Sequence, residues 1–279
     1  MSLGTILVCQ TTRHHAERLM KLAVPLARKH NAHLNGLHAL EALVVYPGIA
    51  VHIPAPTFDS FNKIQEKEAE AIKAIFDTYT KNDDFPSEWR LSNAQSTVAT
   101  DRMVECARTV DLVIMSNKDD ENERYDQRNA RITVIRDSGR PVIVVPQGYE
   151  GPTVGENILL GWSNTREASR SSRDLLTVID EGASVSILQM GVAQQEALAS
   201  SDSIELANMY ARHRLKVSLE QRDGTTKSVA EIVNQTAFEK GADLIVGGAF
   251  GHSKAYDLVF GASTYDLLEG AQCPVMFST

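Results

Sequence analysis

A cluster of glycines near the end of the chain has the residue types and spacing of a phosphate-binding turn. It lies in the stretch VGGAFGHSKAYDLVFGAST, residues 246–264, where Ser263 and Thr264 follow the last glycine. Glycine lets main-chain N–H groups approach a ligand, and a helix start adds unpaired N–H donors and the positive end of the helix dipole. A structural tight turn explains the same pattern about equally well. The glycines are Gly247, Gly248, Gly251 and Gly261.

Two common nucleotide signatures are missing from the sequence. No GxxxxGK[ST] motif occurs, so the lysine and the Mg²⁺-binding hydroxyl of a P-loop are absent. No GxGxxG follows the first apolar segment of either half, where VCQT and LGWS stand instead. Ordinary P-loop NTPase and dehydrogenase functions are therefore disfavoured.

The elements that must position this turn are short apolar strands alternating with amphipathic helices. Such an alternation predicts α/β folding with a parallel sheet covered by helices on both faces. We expect strands at 5–9, 32–40, 89–91, 111–115, 141–145, 158–160, 184–190, 216–219, 243–246 and 274–277. We expect helices at 13–30, 58–79, 97–109, 129–137, 166–179, 196–212 and 227–238, one more after the glycine turn, and a proline-containing loop at 41–57.

The second half of the chain repeats the plan of the first. The segment DLVI at 111–114 matches DLIV at 243–246, and RPV at 140–142 matches CPV at 273–275. The repeat predicts two doubly wound domains, 1–146 and 156–279, joined by a linker at 147–155 that is rich in glycine. Ligands of such sheets bind beyond the C-terminal ends of the strands where strand order reverses, so the loops after the first and fourth strands of each half form its candidate site.

At this level of detail the chain resembles the universal stress protein family. The resemblance is carried by Gly248-x2-Gly251-x9-Gly261 with small hydroxylic residues behind it, and by the flanking strands ILLGW and PVMF. It implies two tandem doubly wound domains, each with a five-stranded parallel sheet of the adenine nucleotide alpha hydrolase-like type. In the nucleotide-binding branch, these three glycines line the phosphates of ATP or a related nucleotide and Met190 contacts adenine.

The complete candidate site implied by the resemblance includes two departures from the family pattern. The acidic residue that binding members place after the first strand is Ser163 here and Thr11 in the first half. Ala262 stands where binding members have Ser or Thr. A lost hydrogen bond to a charged acceptor costs about 1.5–3 kcal/mol, or one to two decades of affinity.

The candidate nucleotide-binding residues are Ser163, Met190, Gly247, Gly248, Phe250, Gly251, Gly261, Ala262, Ser263 and Thr264. We expect valine at Gly248 or Gly251 to abolish binding without unfolding the chain.

The first half has no equivalent of this turn. Its aligned stretch SNKDDENERYDQRNARIT contains no glycine and several acidic residues, so it neither admits a phosphate to the backbone nor attracts an anion. We expect this half to be a degenerate copy that serves as a scaffold or sensor surface.

Catalytic and metal chemistry find little support elsewhere in the sequence. The three cysteines form no CxxC pair, and no GxSxG elbow occurs, so no catalytic residue is assigned. Six of the eight histidines fall within residues 14–52. His33 and His38 are five apart in one predicted strand and therefore on opposite faces, and no metal ligand is assigned.

Charge and hydropathy restrict the partners. The formal net charge is −8, with no basic excess in either half, which disfavours nucleic acid as a partner. No signal segment or membrane span is apparent, so a cytoplasmic protein that binds no membrane is expected.

Three functions stay open at this stage. The favoured one is non-catalytic binding of ATP, ADP or AMP, with or without Mg²⁺, as a stress-response sensor. The alternatives are an interaction protein with a vestigial loop and a slow ATP-hydrolysing enzyme, whose charge-stabilising residues are not visible. A homodimer is compatible with the sequence, and a protein partner cannot be named from it.

Overall fold

The strands of the protein form a single ten-stranded sheet. The computed structural model describes residues 3–41, 54–93, 98–119, 121–123, 129–151, 154–191, 196–224, 227–250 and 261–279. In this part of the chain the strand order is β3-β2-β1-β4-β5-β10-β9-β6-β7-β8. The strands are β1 (Thr5–Cys9), β2 (His33–Leu40), β3 (Ser87–Asn93), β4 (Leu112–Ser116), β5 (Val142–Val145), β6 (Asn157–Gly161), β7 (Ser184–Gly191), β8 (Lys216–Asp223), β9 (Leu244–Gly248) and β10 (Val275–Ser278).

Helices connect the strands within each half. They are α1 (Arg13–His30), α2 (Ala55–Thr80), α3 (Ala99–Ala107), α4 (Ala130–Asp137), α5 (Arg166–Leu175), α6 (Glu196–Arg212), α7 (Val229–Lys240) and α8 (Gly261–Gly270). None of the helices in the described ranges combines the length and the apolar character needed to cross a membrane.

The predicted α/β class is confirmed, with five parallel strands in each half. Both faces of the sheet are buried: along β1, Ile6 and Val8 enter one hydrophobic cluster while Leu7 and Cys9 enter the other. This alternation follows from the period of two along a strand. The domain boundaries at 146 and 156 stay a prediction.

Some predicted element bounds were wrong. The edge strands β3 and β8 are each longer than expected, because a solvated edge strand such as the mostly exposed β8 carries polar residues and a weak apolar signal. Helix α2 begins at Ala55, since Pro56 is tolerated in a first helical turn whose N–H groups have no intrahelical acceptor. Helix α5 ends at Leu175, where the next N–H groups form tighter bonds to carbonyls three residues back. Of the predicted loop at 41–57, residues 42–53 lie outside the described residues, and residues 55–57 belong to α2.

The two halves meet through one antiparallel strand pair. Strand β5 pairs with β10 in the register Val144 with Val275, Ile143 with Met276 and Val142 with Phe277. All six side chains are at most 3% exposed. The outer strand of each five-stranded unit is thereby covered by the other unit of the same chain.

The internal repeat has a structural counterpart in two aspartates. The carboxylate of Asp111, just before β4, accepts hydrogen bonds from Gly4 N and Thr5 N at 2.8 and 2.9 Å. The carboxylate of Asp243, just before β9, accepts from the N–H groups of residues 155, 156 and 157 at 3.0, 2.8 and 3.3 Å. Each aspartate therefore fixes the start of the first strand of its half.

We predict that Asp243→Ala destabilises the protein more than Asp111→Ala. Asp243 is half-buried and satisfies three backbone donors, whereas Asp111 is exposed and satisfies two. The expected loss for Asp243→Ala is about 1.5–3 kcal/mol in the free energy of unfolding. Urea unfolding followed by circular dichroism measures both values, and equal losses would contradict the prediction.

Candidate functional site

The candidate site of the second half lies at the C-terminal edge of β6, β7 and β9. Strand order reverses between β6 and β9, the place where doubly wound sheets bind ligands. The pairing of Leu160 with Val246 and of Gly161 with Leu188 brings the ends of the three strands to this edge. The fold therefore brings the loops of the predicted site to one edge of the sheet.

Gly247 and Gly248 belong to β9 itself, which runs two residues further than expected. Both residues pair with β10, at Phe277 and Ser278. A methyl group built on Gly248 would lie 2.6 Å from the backbone nitrogen of Ala168, at the start of α5. One built on Gly247 meets no atom within 4 Å. Glycine at 248 is thus required by the close approach of a strand to a helix start.

This contact corrects one expectation from the sequence. Valine at Gly248 would collide with backbone atoms of Glu167 and Ala168, which have no rotamer by which to move away. The substitution would therefore disturb the fold and does not test ligand binding separately from folding. Gly251 lies outside the described residues.

We predict that Gly248→Ala destabilises the protein by about 1–3 kcal/mol through overpacking. The neighbouring Gly247→Ala is the matched control and should change the free energy of unfolding by less than about 1 kcal/mol, because its methyl group enters open space. Urea unfolding of both variants gives the comparison. A Gly248→Ala protein as stable as the wild type would refute the steric explanation.

Phe250 follows the end of β9 in an unusual backbone conformation. Its φ of 54° is in the left-handed region, which non-glycine residues rarely adopt and which recurs at functional sites. Its N–H donates to Oγ1 of the buried Thr264 at 3.4 Å, and its ring contacts Tyr265 edge-on at a centroid distance of 5.7 Å. The guanidinium of Arg136, from α4 of the first half, lies 4.8 Å from the ring centroid. The first turn after β9 is therefore in contact with the other half of the chain.

The remaining predicted residues are placed around this edge. Ser163 is half-buried two residues after β6, with Oγ 3.4 Å from Oγ1 of Thr165, the residue that caps α5. Met190 is half-buried near the end of β7. Backbone positions 261–264 form the start of α8, which contains Gly261, Ala262, Ser263 and Thr264.

The space among the described residues of this edge is small. Gly161, Gly247, Gly248 and Thr264 help to line a cavity of about 10 Å³, which is at most enough for one water molecule. A nucleotide does not fit in it. One further feature of the edge is Trp162, whose Nε1 is buried and makes no hydrogen bond. Buried donors of this kind are rare in native proteins and point to a missing acceptor.

The corresponding edge of the first half holds a much larger cleft, which the sequence did not reveal. Its volume is about 510 Å³. The cleft lies beside the loop that follows β1, and α2 and the loop after β4 supply its other walls. Its lining residues are Thr11, Thr12, Arg13, His14, Ile64, Glu68 and Asn122.

The acidic loop of the first half is anchored by a buried ion pair. Arg131 Nη2 lies 2.7 Å from Glu123 Oε2, and the two side chains are 3% and 1% exposed. Thr11 donates to the other Glu123 oxygen at 3.2 Å, and the N–H of Asp119 donates to Oε2 at 3.2 Å. Burial raises the pKa of Glu123, although the Arg131 charge opposes this. Part of the acidic charge that sets this loop apart is therefore neutralised internally.

We predict that Arg131→Met alone destabilises the protein by about 3–5 kcal/mol, because it leaves the Glu123 carboxylate buried without its counter-ion. The double variant Glu123→Leu with Arg131→Met should recover most of that loss, since apolar replacement of both ions removes the uncompensated charge. Urea unfolding of wild type, both single variants and the double variant forms a double-mutant cycle. If the double variant loses the sum of the two single losses in free energy of unfolding, Glu123 and Arg131 are not coupled and the prediction is contradicted.

A second buried polar contact lies beside the first-half cleft. His15 is 0% exposed in side chain, and its Nε2 lies 3.0 Å from Oδ2 of Asp119 without the geometry of a hydrogen bond. Its Nδ1 lies 3.3 Å from Oγ1 of Thr12. Burial lowers the pKa of His15 to about 4, although Asp119 opposes the shift, so the imidazole is neutral at pH 7.

The cysteines offer no reactive thiol at either edge. Cys9 and Cys273 are buried, and burial raises the pKa of both, to about 12 for Cys273. Thiols in such surroundings are poor nucleophiles because the thiolate is disfavoured. Cys273 lies just before β10. His38 is buried, with Nδ1 2.7 Å from Gln10 O, in a structural contact.

Solved structures with the same fold cover nearly the whole chain. A universal stress protein from Archaeoglobus fulgidus superposes with a TM-score of 0.66 at 11% identity, over 99% of this chain and 96% of that one. A Pseudomonas aeruginosa protein of unknown function gives a TM-score of 0.55 at 13% identity, over 99% of this chain and 92% of that one. No curated protein matches the chain.

The sequence of the second half matches one protein family. The universal stress protein family model matches residues 163–278, which contain β7 to β10 and the glycine cluster. Residues 163–278 therefore match the universal stress protein family, and the chain as a whole has the fold of the Archaeoglobus fulgidus universal stress protein.

Proposed function

We propose that the second half binds an adenine nucleotide and that the protein is a non-catalytic sensor in a cytoplasmic stress response. The observation that carries the proposal is that Gly247 and Gly248 end β9 at the strand-order reversal, and that Thr264 of α8 contacts Phe250 just after that strand. Helix starts in general present unpaired N–H groups and a positive dipole end, which together favour phosphate.

Two local features support a ligand at this edge. Phe250 holds a backbone conformation that costs about 1–2 kcal/mol for a residue other than glycine, and strain of this kind recurs where a ligand is bound. The buried Nε1 of Trp162, next to Ser163, is a donor without an acceptor. Both features lie in the two loops that the fold brings together.

The ligand in this proposal lies outside the small cavity under Gly248. The phosphates contact main-chain N–H groups after β9 and at the start of α8, with Ser263 and Thr264 as candidate hydroxyl donors. The ribose lies near Ser163, and adenine lies near Met190. No lysine of a P-loop takes part, so affinity depends on amide geometry more than on side-chain charge.

The contact between Arg136 and Phe250 offers a way for the first half to respond. A nucleotide bound beside the end of β9 changes the position of Phe250, and Arg136 on α4 lies against its ring. A cation–π contact is worth about 0.5–2 kcal/mol. That energy is enough to change the population ratio of two arrangements of this contact severalfold. Occupancy of the second half is thereby transmitted to a helix of the first half.

We predict that Ser163→Asp strengthens ATP binding by about one to two decades, because a carboxylate accepts ribose hydroxyl hydrogen bonds more strongly than a hydroxyl does. Ser163→Asn is the matched control of equal size without charge, and it should bind close to wild type. Isothermal titration with ATP and with GTP measures the affinities.

The same measurements separate the alternatives. Absence of ATP binding in both wild type and Ser163→Asp would contradict the proposal and favour an interaction protein with a vestigial loop. ATP turnover that depends on Mg²⁺ and disappears with Gly251→Val would instead assign a slow hydrolase. Identifying any nucleotide released from the purified protein on denaturation shows which adenine nucleotide is bound.

A further inference from the structure

We propose that His14, His15 and Asp119 bind a divalent transition metal ion, zinc in the first instance, at the wall of the first-half cleft. The three side chains each offer one ligand atom, and these atoms lie within 4.8 Å of one another. Two imidazoles and one carboxylate form a ligand set that suits zinc. The site is independent of the nucleotide site proposed for the second half.

His15 is buried and oriented as a metal ligand would be. Its side chain is fully buried, and Nε2 lies 3.0 Å from a carboxylate oxygen that is off the axis needed for a hydrogen bond. This distance is close to that of two ligands of a common ion, because atoms about 2.1 Å from a tetrahedral zinc lie about 3.4 Å apart. The Thr12 hydroxyl at Nδ1 orients the ring, as outer contacts do for metal-bound histidines.

Asp119 is held in place by its own loop. Its Oδ1 accepts from the N–H groups of Glu121 and Asn122 at 3.1 and 3.3 Å, and its Oδ2 accepts from Asn122 Nδ2 at 2.7 Å. These hydrogen bonds orient the carboxylate before any ion arrives.

His14 completes the set from the solvent side. It is exposed, lines the cleft, and its ring meets that of His15 edge-on at a centroid distance of 5.4 Å. Closing from 4.8 Å to the separation of zinc ligands needs a movement of about 1.5 Å, which an exposed side chain can make. The open side faces the cleft, so water or an anionic ligand can complete the coordination.

One nearby cation opposes the ion. Arg18 interacts with Asp119, and its Nη1 is buried without a hydrogen bond. Glu150 also interacts with Arg18 and offsets part of its charge. The Asp119 carboxylate supplies the negative charge of the ligand set for a divalent ion.

The test is titration of the untagged full-length protein, first stripped with a chelator, with zinc chloride. Wild type should bind one zinc ion per chain, measured by calorimetry and elemental analysis. His14→Ala and Asp119→Asn should each weaken zinc binding at least about tenfold. His213→Ala, which removes an exposed histidine of the second half, is the matched control and should bind as wild type does.

Cobalt provides a readout of the ligands themselves. Co²⁺ in the wild-type site should give visible absorption bands of a low-coordinate ion, and His14→Ala should lose them while its circular dichroism spectrum is unchanged. His14 is exposed, so replacing it with alanine should leave the core folded. A change in the cobalt spectrum then reports the missing ligand. The proposal is overturned if wild type binds no stoichiometric zinc, or if zinc binding is the same in His14→Ala and Asp119→Asn as in wild type.

Discussion

The antiparallel pairing of β5 with β10 is the constraint on which the whole molecule depends. Each half ends in a short apolar strand with an unpaired edge, and an exposed apolar edge is an aggregation hazard. Pairing the two edges buries six side chains to 3% exposure or less and leaves the more polar β3 and β8 as the outer edges. The fusion of two copies in one chain thus supplies within the molecule a contact that covers both edges.

The two candidate sites have different surroundings. In the second half, the end of β9 packs against the start of α5 so closely that Gly248 has no room for a side chain. In the first half, the Glu123 and Arg131 pair is buried near the loop after β4, and a cleft of about 510 Å³ lies at the same edge of the sheet. Duplication preserved the sheet, whose burial tolerates little change, and allowed the loops at its C-terminal edge to diverge.

Electrostatics explains how an acidic protein accommodates both proposed ligands. The proposed polyphosphate site uses backbone amides, which carry no net charge and need no basic surface. The proposed cation site uses Asp119, a carboxylate that its own loop orients through hydrogen bonds. The net charge of −8 argues against polyanionic partners such as nucleic acid, but it does not decide between these two local sites.

Sequence periodicity was sufficient for the order of the elements, the doubly wound class and the repeat, because burial on both sheet faces imposes an apolar pattern on every inner strand. Residue type and spacing also located the glycine cluster, since glycine is required wherever the backbone closely approaches another group. The sequence could not show that Gly248 serves strand-to-helix packing, because the partner backbone at Ala168 is eighty residues away in the chain. Nor could it bring His15 to Asp119 or open the cleft beside them, because side chains 104 residues apart meet only when β1 and β4 pair. Local propensity and pattern determine which elements form, whereas the contacts that create a site arise from the pairing of distant strands.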